Sequence, residues 1–586
     1  MKSRTSFFNG TVLKKDIIRY APLWGLYTIF LIVLFISGQR DDPTLTANAV
    51  ANTMSEMPLF NLIYAGLCAN ILFGDLFQSR MCNALHAMPL RRESWFFTHV
   101  AAGLLFCIVP SLIGAVFLMF LLQEFFYMAL LWLAATVLGY LFFFAVGVFS
   151  VMCAGNRLGM AAVYCIINFF PLLIYVLAKE VCEPLLYGIE IVLDPFQFFC
   201  PVAQLTSENL LSFDYDHMNG RFVNGHIEHF FPEVWIYLFA TVAIGAVLVF
   251  FALVLYRKRK LECAGDFVAF RGLAPVFLVI CTLACGVFLY AISSVFGFAV
   301  DYVLMAIGVT VGFFAGKMLL ERTVRVFHKK SFLGFAIFAL VLTASLVLTK
   351  LDPLRITWYV PETQDIACMR VYRDNNRHTF TDMEDDCYQL ESPDEIAAFR
   401  QVHTQLMAER GEKTDGASHV YIHYLLKNGR EVVRYYTIDE NTAAYEPLRT
   451  YFSDYRYIFN EYDWNVIQKS ITSIDVSLSD SYFGATESGE PVAVSLESRT
   501  VTDPQKVAQF LDALRKDCDA GNMAQAHTFH IGEDYAGWCY LSSNLQDEHG
   551  TIIANGELFL DLTVYHSAVH TKAVLEQWVE ESKQVQ

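Results

Sequence analysis

The sequence predicts a polytopic α-helical membrane protein, about nine transmembrane helices, followed by a C-terminal extracytoplasmic α+β domain that reads as two similar lobes. Three observations carry this. Of the 586 residues, 55% are hydrophobic and 15% aromatic, and the mean hydropathy is +0.39, too apolar for a soluble chain of this length. Apolar runs near the ~20 residues that a helix needs to cross about 30 Å of hydrocarbon fill the first part of the chain. Charge divides with them: residues 1–350 hold 23 Lys+Arg and 20 Asp+Glu, whereas residues 351–586 hold 19 and 39. An acidic soluble part lacks the basic footprint that nucleic-acid binding needs.

Residues 1–20 form a basic amphipathic segment. Lys2, Arg4, Lys14, Lys15 and Arg19 alternate with Phe7, Phe8, Val12, Leu13, Ile17 and Ile18, a pattern for a short interfacial helix. The first span, 21–38, is long for the apolar part of a signal peptide. Although Ala47-Asn48-Ala49 imitates a cleavage site, it reads as an uncleaved anchor. Further spans fall at 59–76, 99–121, 127–150, 159–178, 234–256, 273–294, 302–320 and 331–349. Only Gln123 to Tyr127 separate the third from the fourth.

With the N-terminus inside, the inner segments 1–20, 77–98, 151–158, 257–272 and 321–330 hold 18 Lys+Arg. The short outer loops hold Arg40, Lys179 and Arg221, with Lys350 at the last outer boundary. The positive-inside rule therefore predicts a multi-pass cell-membrane protein with a cytoplasmic N-terminus and an extracytoplasmic C-terminal domain. The domains read as 1–20, the amphipathic segment; 21–256, a six-helix core; 257–349, three additional spans; and 350–586, the α+β domain.

Two loops stand out. Residues 80–98, RMCNALHAMPLRRESWFFT, carry Arg80, Arg91 and Arg92 between two spans. Met81, Leu85 and Met88 fall on one face of a short helix that Pro89 ends. Loop 179–233 holds two apolar patches too short to span, Leu185 to Leu193 and Pro195 to Leu205. Pro184, Leu185, Pro195, Phe196, Phe198 and Phe199 are candidates for an outer gate, against the plainer reading of interfacial packing. Asn219-Gly220 and Asn224-Gly225 read as turns.

In the C-terminal region, strands at 420–426 and 431–438 flank Asn428-Gly429, the signature of a type I′ hairpin. Ser392-Pro393-Asp394-Glu395 starts one helix and Asp503-Pro504 another. Asn555-Gly556 precedes a strand at 558–565, and a last helix covers 569–582. The order strand, Pro-started helix, strand pair occurs at 366–438 and again at 493–565, with a Tyr- and Asp-rich linker near 440–470. Of fourteen cysteines, Cys182, Cys200, Cys368, Cys387, Cys518 and Cys539 are candidates for disulfides in an oxidising compartment, with the pairing open.

No motif offers catalysis, and the chain reads as no enzyme. Gly312 to Lys317 has three residues between its glycines where a phosphate loop needs four, and Met318 where it needs Ser or Thr; a helix–helix contact is the better reading. His419 and His423 share a strand about 13 Å apart, too far for one metal. His527 and His530 fall on opposite faces of the strand expected there, and His566 and His570 lack an acidic third ligand. Among charges near spans, Asp75 and Lys317 sit at inner ends, leaving no acidic relay of the kind a proton-coupled carrier uses.

Residues 1–256 resemble the transmembrane permease subunit of a bacterial type-2 ABC exporter. The likeness lies in the basic amphipathic N-terminus, six spans, the segment Met88-Pro89-Leu90-Arg91-Arg92-Glu93, the short inner loop Gly155 to Gly159 and the longer outer loop between spans five and six. It implies that Arg80 to Glu93, with Met81, Leu85, Met88, Pro89, Arg91 and Arg92, form an ATPase-coupling loop. It also implies a partner ATPase that holds ATP and Mg, no cofactor in this chain, and a second permease, identical or homologous, in the bilayer. The spans at 257–349 depart from the six-span pattern. Residues 351–586, most clearly YIHYLLKNGREVVRYYTI, resemble an uncharacterised extracytoplasmic domain of some Gram-positive permeases. The rival reading is a membrane-anchored sensor or scaffold without transport.

Overall fold

The computed structural model describes residues 8–39, 43–87, 91–122, 125–207, 210–216, 221–296, 301–374, 388–409, 418–438, 445–454, 464–478, 499–523, 535–543, 558–565 and 567–585. The chain divides into two compact units, Met1–Val181 with Ile191–Ser345, and Cys182–Glu190 with Leu346–Gln586.

The first unit is helical. In chain order it holds α1 (Gly10–Arg19), α2 (Ala21–Gly38), α3 (Pro43–Leu72), α4 (Ser79–Ala87), α5 (Arg92–Leu122), α6 (Phe126–Cys153) and α7 (Arg157–Leu177). Two short helices, α8 (Asp194–Phe198) and α9 (Pro201–Ser207), precede the hairpin of β1 (Leu211–Asp216) and β2 (Arg221–Phe230). Then come α10 (Pro232–Lys258), α11 (Ala274–Phe296), α12 (Asp301–Glu321) and α13 (Lys329–Leu351), whose end passes into the second unit.

Eight described helices are long and apolar enough to cross a membrane. The expected span at 59–76 is the exception. It is the second half of the 30-residue α3, which starts at Pro43 and ends at Leu72. Asn48, Asn52, Glu56, Asn61 and Asn70 lower its apolarity, and one face of it packs into the bundle, with Val50, Met54, Met57, Ala65, Cys68 and Ala69 buried while Leu59, Ile63 and Leu67 stay exposed. The weakest boundary in the sequence is a break between helices, α5 ending at Leu122 and α6 starting at Phe126.

The bundle interior is filled by rings. Trp132, Tyr140, Phe143 and Phe144 are fully buried, and Tyr27 stacks on Tyr64 at 3.9 Å. Tyrosine hydroxyls hold the helices together. Pro110 cannot donate the backbone hydrogen bond that the Phe106 carbonyl would otherwise accept. The Tyr64 hydroxyl donates to that carbonyl instead, at 2.9 Å. Tyr140 donates to Gly103 O and Tyr164 to Leu62 O. Gly312 and Gly316 lie against Leu278, Cys281, Thr282 and Cys285 of α11, the small-residue contact the sequence predicts.

Asn224-Gly225 is no hairpin turn. It lies within β2, where the register jumps from Phe213↔Ile227 to Tyr215↔Phe222, so the extra residues form a bulge. Asn219-Gly220 lies outside the described residues.

The second unit contains two lobes of one topology. Lobe 1 has β3 (Ile366–Asp374), β4 (Tyr388–Leu390), α14 (Pro393–Glu409), β5 (Ser418–Leu426) and β6 (Glu431–Ile438), in the antiparallel order β4-β3-β5-β6. After α15 (Tyr445–Phe452) and α16 (Trp464–Ser470), lobe 2 has β7 (Ile471–Leu478), β8 (Arg499–Val501), α17 (Pro504–Asp519), β9 (Tyr535–Ser543) and β10 (Leu558–Tyr565), in the order β8-β7-β9-β10. The last helix is α18 (Val569–Val585).

Registers agree as well. Met369 pairs with Leu390 and Tyr424 in lobe 1; Ile474 pairs with Val501 and Leu541 in lobe 2. Both first strands carry a bulge at their start, Ile366/Cys368 and Ile471/Ser473. The two lobes therefore repeat one topology, and lobe 2 begins at Ile471 and not at 493, because β7 precedes β8. The Asn428-Gly429 hairpin forms, with only Gly429 at positive φ (78°). Gly429 N donates to Leu426 O and Leu426 N to Arg430 O, a three-residue loop in place of a type I′ turn.

Candidate functional site

The basic loops converge at one end of the bundle. The turn Gly74–Phe77 leads into α4, where Arg80 is exposed and Met81 is 42% exposed while Cys82 is buried. Leu85 lies on α4; Met88 and Pro89 lie outside the described residues. Arg91 and Arg92 are exposed, and the Arg91 carbonyl accepts the first amides of α5. Glu93 turns inward and pairs with Arg257 at 3.2 Å, so it braces the loop.

Beneath α4 is a base the sequence conceals. Arg259, 7% exposed, sits just past α10. Its guanidinium donates to Val151 O at 2.7 Å, Met152 O at 3.5 Å and Leu76 O at 3.4 Å. The first two are carbonyls of the last turn of α6, which have no intrahelical donor and draw a cation. The third belongs to the turn that carries α4. One side chain thus joins α10, the end of α6 and the turn that leads into α4. Its neighbours Arg257, Lys258 and Lys260 make it read as part of a solvated charge run.

A short bridge stiffens the same base. Ala154 pairs with Val268, Gly265 N donates to Gly155 O at 2.7 Å, and Ala269 N donates to Cys153 O at 2.8 Å. Gly155 and Gly159 are pressed against the carbonyls of Cys263, Asp266 and Phe267, so no side chain fits at either. Ser79 Oγ reaches Ala264 O at 3.2 Å. Arg322, after α12, pairs with Asp266 at 3.1 Å and ties the added helices to this base.

Helix α1 is seated beside it. Asn9 caps α1 through Thr11 N and Val12 N, and its own amide donates to Thr98 Oγ1. Leu13 and Ile17 pack on the core while Ile18 stays exposed. Asp16 is buried 3.6 Å from His99 Nε2, too far for a hydrogen bond. Burial, then the charge of Asp75, pushes its carboxyl up to about 6, against Arg19 and Lys15, which lower it.

The second predicted site separates. Pro184 and Leu185 sit in the turn Glu183–Leu185 and belong to the C-terminal unit. Pro195, Phe196, Phe198 and Phe199 belong to the bundle. Phe196 packs on Tyr175, Phe198 O accepts the Tyr237 hydroxyl at 2.7 Å, and Phe199 is 70% exposed. The expected gate loop is thus not one element. Cys182, Cys200 and Cys518 are free thiols, and Cys200 Sγ donates to Asn168 O, so no Cys182–Cys200 disulfide forms. Cys368 lies half-buried on β3; Cys387 and the Cys539 side chain are outside the described residues. The same holds for His527, His530 and His566, while His419 and His423 share β5. Among the described residues no three His, Cys, Asp or Glu side chains gather as a metal site.

Comparison with protein-family models, with curated proteins and with solved structures gives no match for this chain.

Proposed function

We propose that the chain is the membrane-spanning permease subunit of an ABC transporter, an exporter driven by a separate ATPase that holds ATP and Mg. The observation that carries this reading is the seating of α4. An exposed helix with Arg80 on it and Arg91 and Arg92 beyond its end, mounted on a stiff base, is suited to receive force from a soluble partner and pass it on. Arg259 hands a displacement of α4 to α6 and α10 together. The excess of Lys and Arg in the segments 1–20, 77–98, 151–158, 257–272 and 321–330 supports a cytoplasmic N-terminus and an extracytoplasmic C-terminal domain. A second permease, identical or homologous, completes the path.

The test is purification of the tagged full-length protein in mild detergent. A stoichiometric ATPase is expected with the native chain and is expected to be lost in the Arg91→Glu/Arg92→Glu variant. An ATPase retained by that variant would remove α4 and its flank from the contact; no ATPase with the native chain would remove the transporter reading.

A further inference from the structure

The two lobes share topology and register but differ at one set of matching positions. Lobe 1 carries His403, Arg400, Tyr424, Arg434 and Tyr436; the matching positions in lobe 2 are Leu514, Leu511, Leu541, Leu562 and Val564. His403 is fully buried. Its Nδ1 lies 2.6 Å from the Tyr424 hydroxyl and its Nε2 2.8 Å from that of Tyr436. Arg434 donates to Ile356 O and Tyr359 O, and Arg400 to Thr363 Oγ1. A buried polar set is harder to satisfy than an apolar one, and lobe 2 buries Leu511, Leu514 and Val564 at three of the matching positions, so the fold alone does not require it.

What lobe 1 also has is a visitor. The segment Cys182–Glu190, from the loop after α7, packs on this lobe and not on the bundle. Tyr187 meets Tyr436 edge to face at 5.5 Å, and its hydroxyl reaches Leu406 O at 3.5 Å. Tyr435 N, on the edge strand β6, donates to Gly188 O at 3.4 Å. Gly188 has φ +74° and lies against the Tyr436 ring, so a Cβ there would collide with it.

We propose that lobe 1 is the receptor for this strap, and that His403 fixes Tyr424 and Tyr436 so that the Tyr436 ring forms its seat. Lobe 2 carries Leu and Val at the matching positions. Chain continuity with α7 makes the strap a route by which movement at the end of that helix reaches lobe 1. The proposal does not rest on the transport reading.

Hydrogen–deuterium exchange on the full-length protein in detergent tests it. Gly188→Val alters the strap alone. His403→Leu/Tyr424→Leu/Tyr436→Val gives lobe 1 the residues of lobe 2. Both are expected to speed exchange at 183–190 and at the Tyr435 amide by about tenfold or more, with β3 and β5 still protected. Native protection of the strap and of Tyr435 in Gly188→Val would overturn the proposal. If the triple variant unfolds lobe 1, Gly188→Val decides alone.

Discussion

Arg259 and Tyr64 each fill a gap in a helix's backbone hydrogen bonding. Arg259 serves carbonyls left over at the end of α6, and Tyr64 serves the one that Pro110 leaves open in the middle of α5. Arg259→Ala strands buried carbonyls and unties α4, and is expected to destabilise the bundle by about 2–4 kcal/mol, read from thermal melting in detergent. Arg259→Lys retains the charge but not the three-way fork, and is expected to recover only part of that. Tyr64→Phe removes one hydroxyl and is expected to cost about 1 kcal/mol, the usual size for a hydrogen bond within a bilayer. Asp16 has a pH signature. Its folded carboxyl, at about 6, lies above the ordinary value of 3.8, so seating of α1 is strongest below about pH 4 and weakens as pH rises through 6. Proteolytic protection of α1 followed across that range measures this, and Asp16→Asn is expected to flatten it.

At the scale of elements, lobe 1 offers a contrast with its twin. Burial, aided by the charges of Arg434 and Arg400, lowers His403 to about 3. The imidazole is neutral in the fold and protonates readily only when unfolded. His403 therefore lowers lobe 1 stability as pH falls below 6.5, by up to about 1.4 kcal/mol per pH unit until about pH 3. Denaturant melts of native protein and His403→Leu between pH 7 and 4 are expected to show the steeper fall in the native chain. The lobes also show what periodicity reveals. Pro-started helices and Asn-Gly pairs pointed to the repeat, because such signals are local; Asn555-Gly556 lies outside the described residues. The start of lobe 2 was not legible, since β7 stands apart from β8 and pairs chiefly with β9, 60 or so residues later in the chain. The His403 cluster and the strap were invisible for a related reason: they depend on which strand positions face one another across long separations.

At the scale of the whole molecule, hydropathy and basic-residue counts located most long helices to within a few residues, because a bilayer-sized apolar run is a strong signal. The exception, α3, buries one face in the bundle, where Asn61 is covered and its amide donates to Thr136 O, and carries Asn52 and Glu56 on its exposed side. The exposed arginines of the loop at 80–92 were legible as a basic insert, but the base beneath them was not. Arg259 looks like its charged neighbours, and Gly155 and Gly159 reveal their role only once the backbone at 263–267 lies against them.

The central claim is that this basic platform carries a soluble ATPase. The most direct measurement is the mass of the complex purified with the full-length chain in mild detergent, beside the Arg91→Glu/Arg92→Glu variant. A stoichiometric ATPase is expected with the native chain and none with the variant, both proteins melting alike. A native chain that is folded, with its strap protected, and yet brings no ATPase would contradict it, and would favour a membrane-anchored sensor or scaffold.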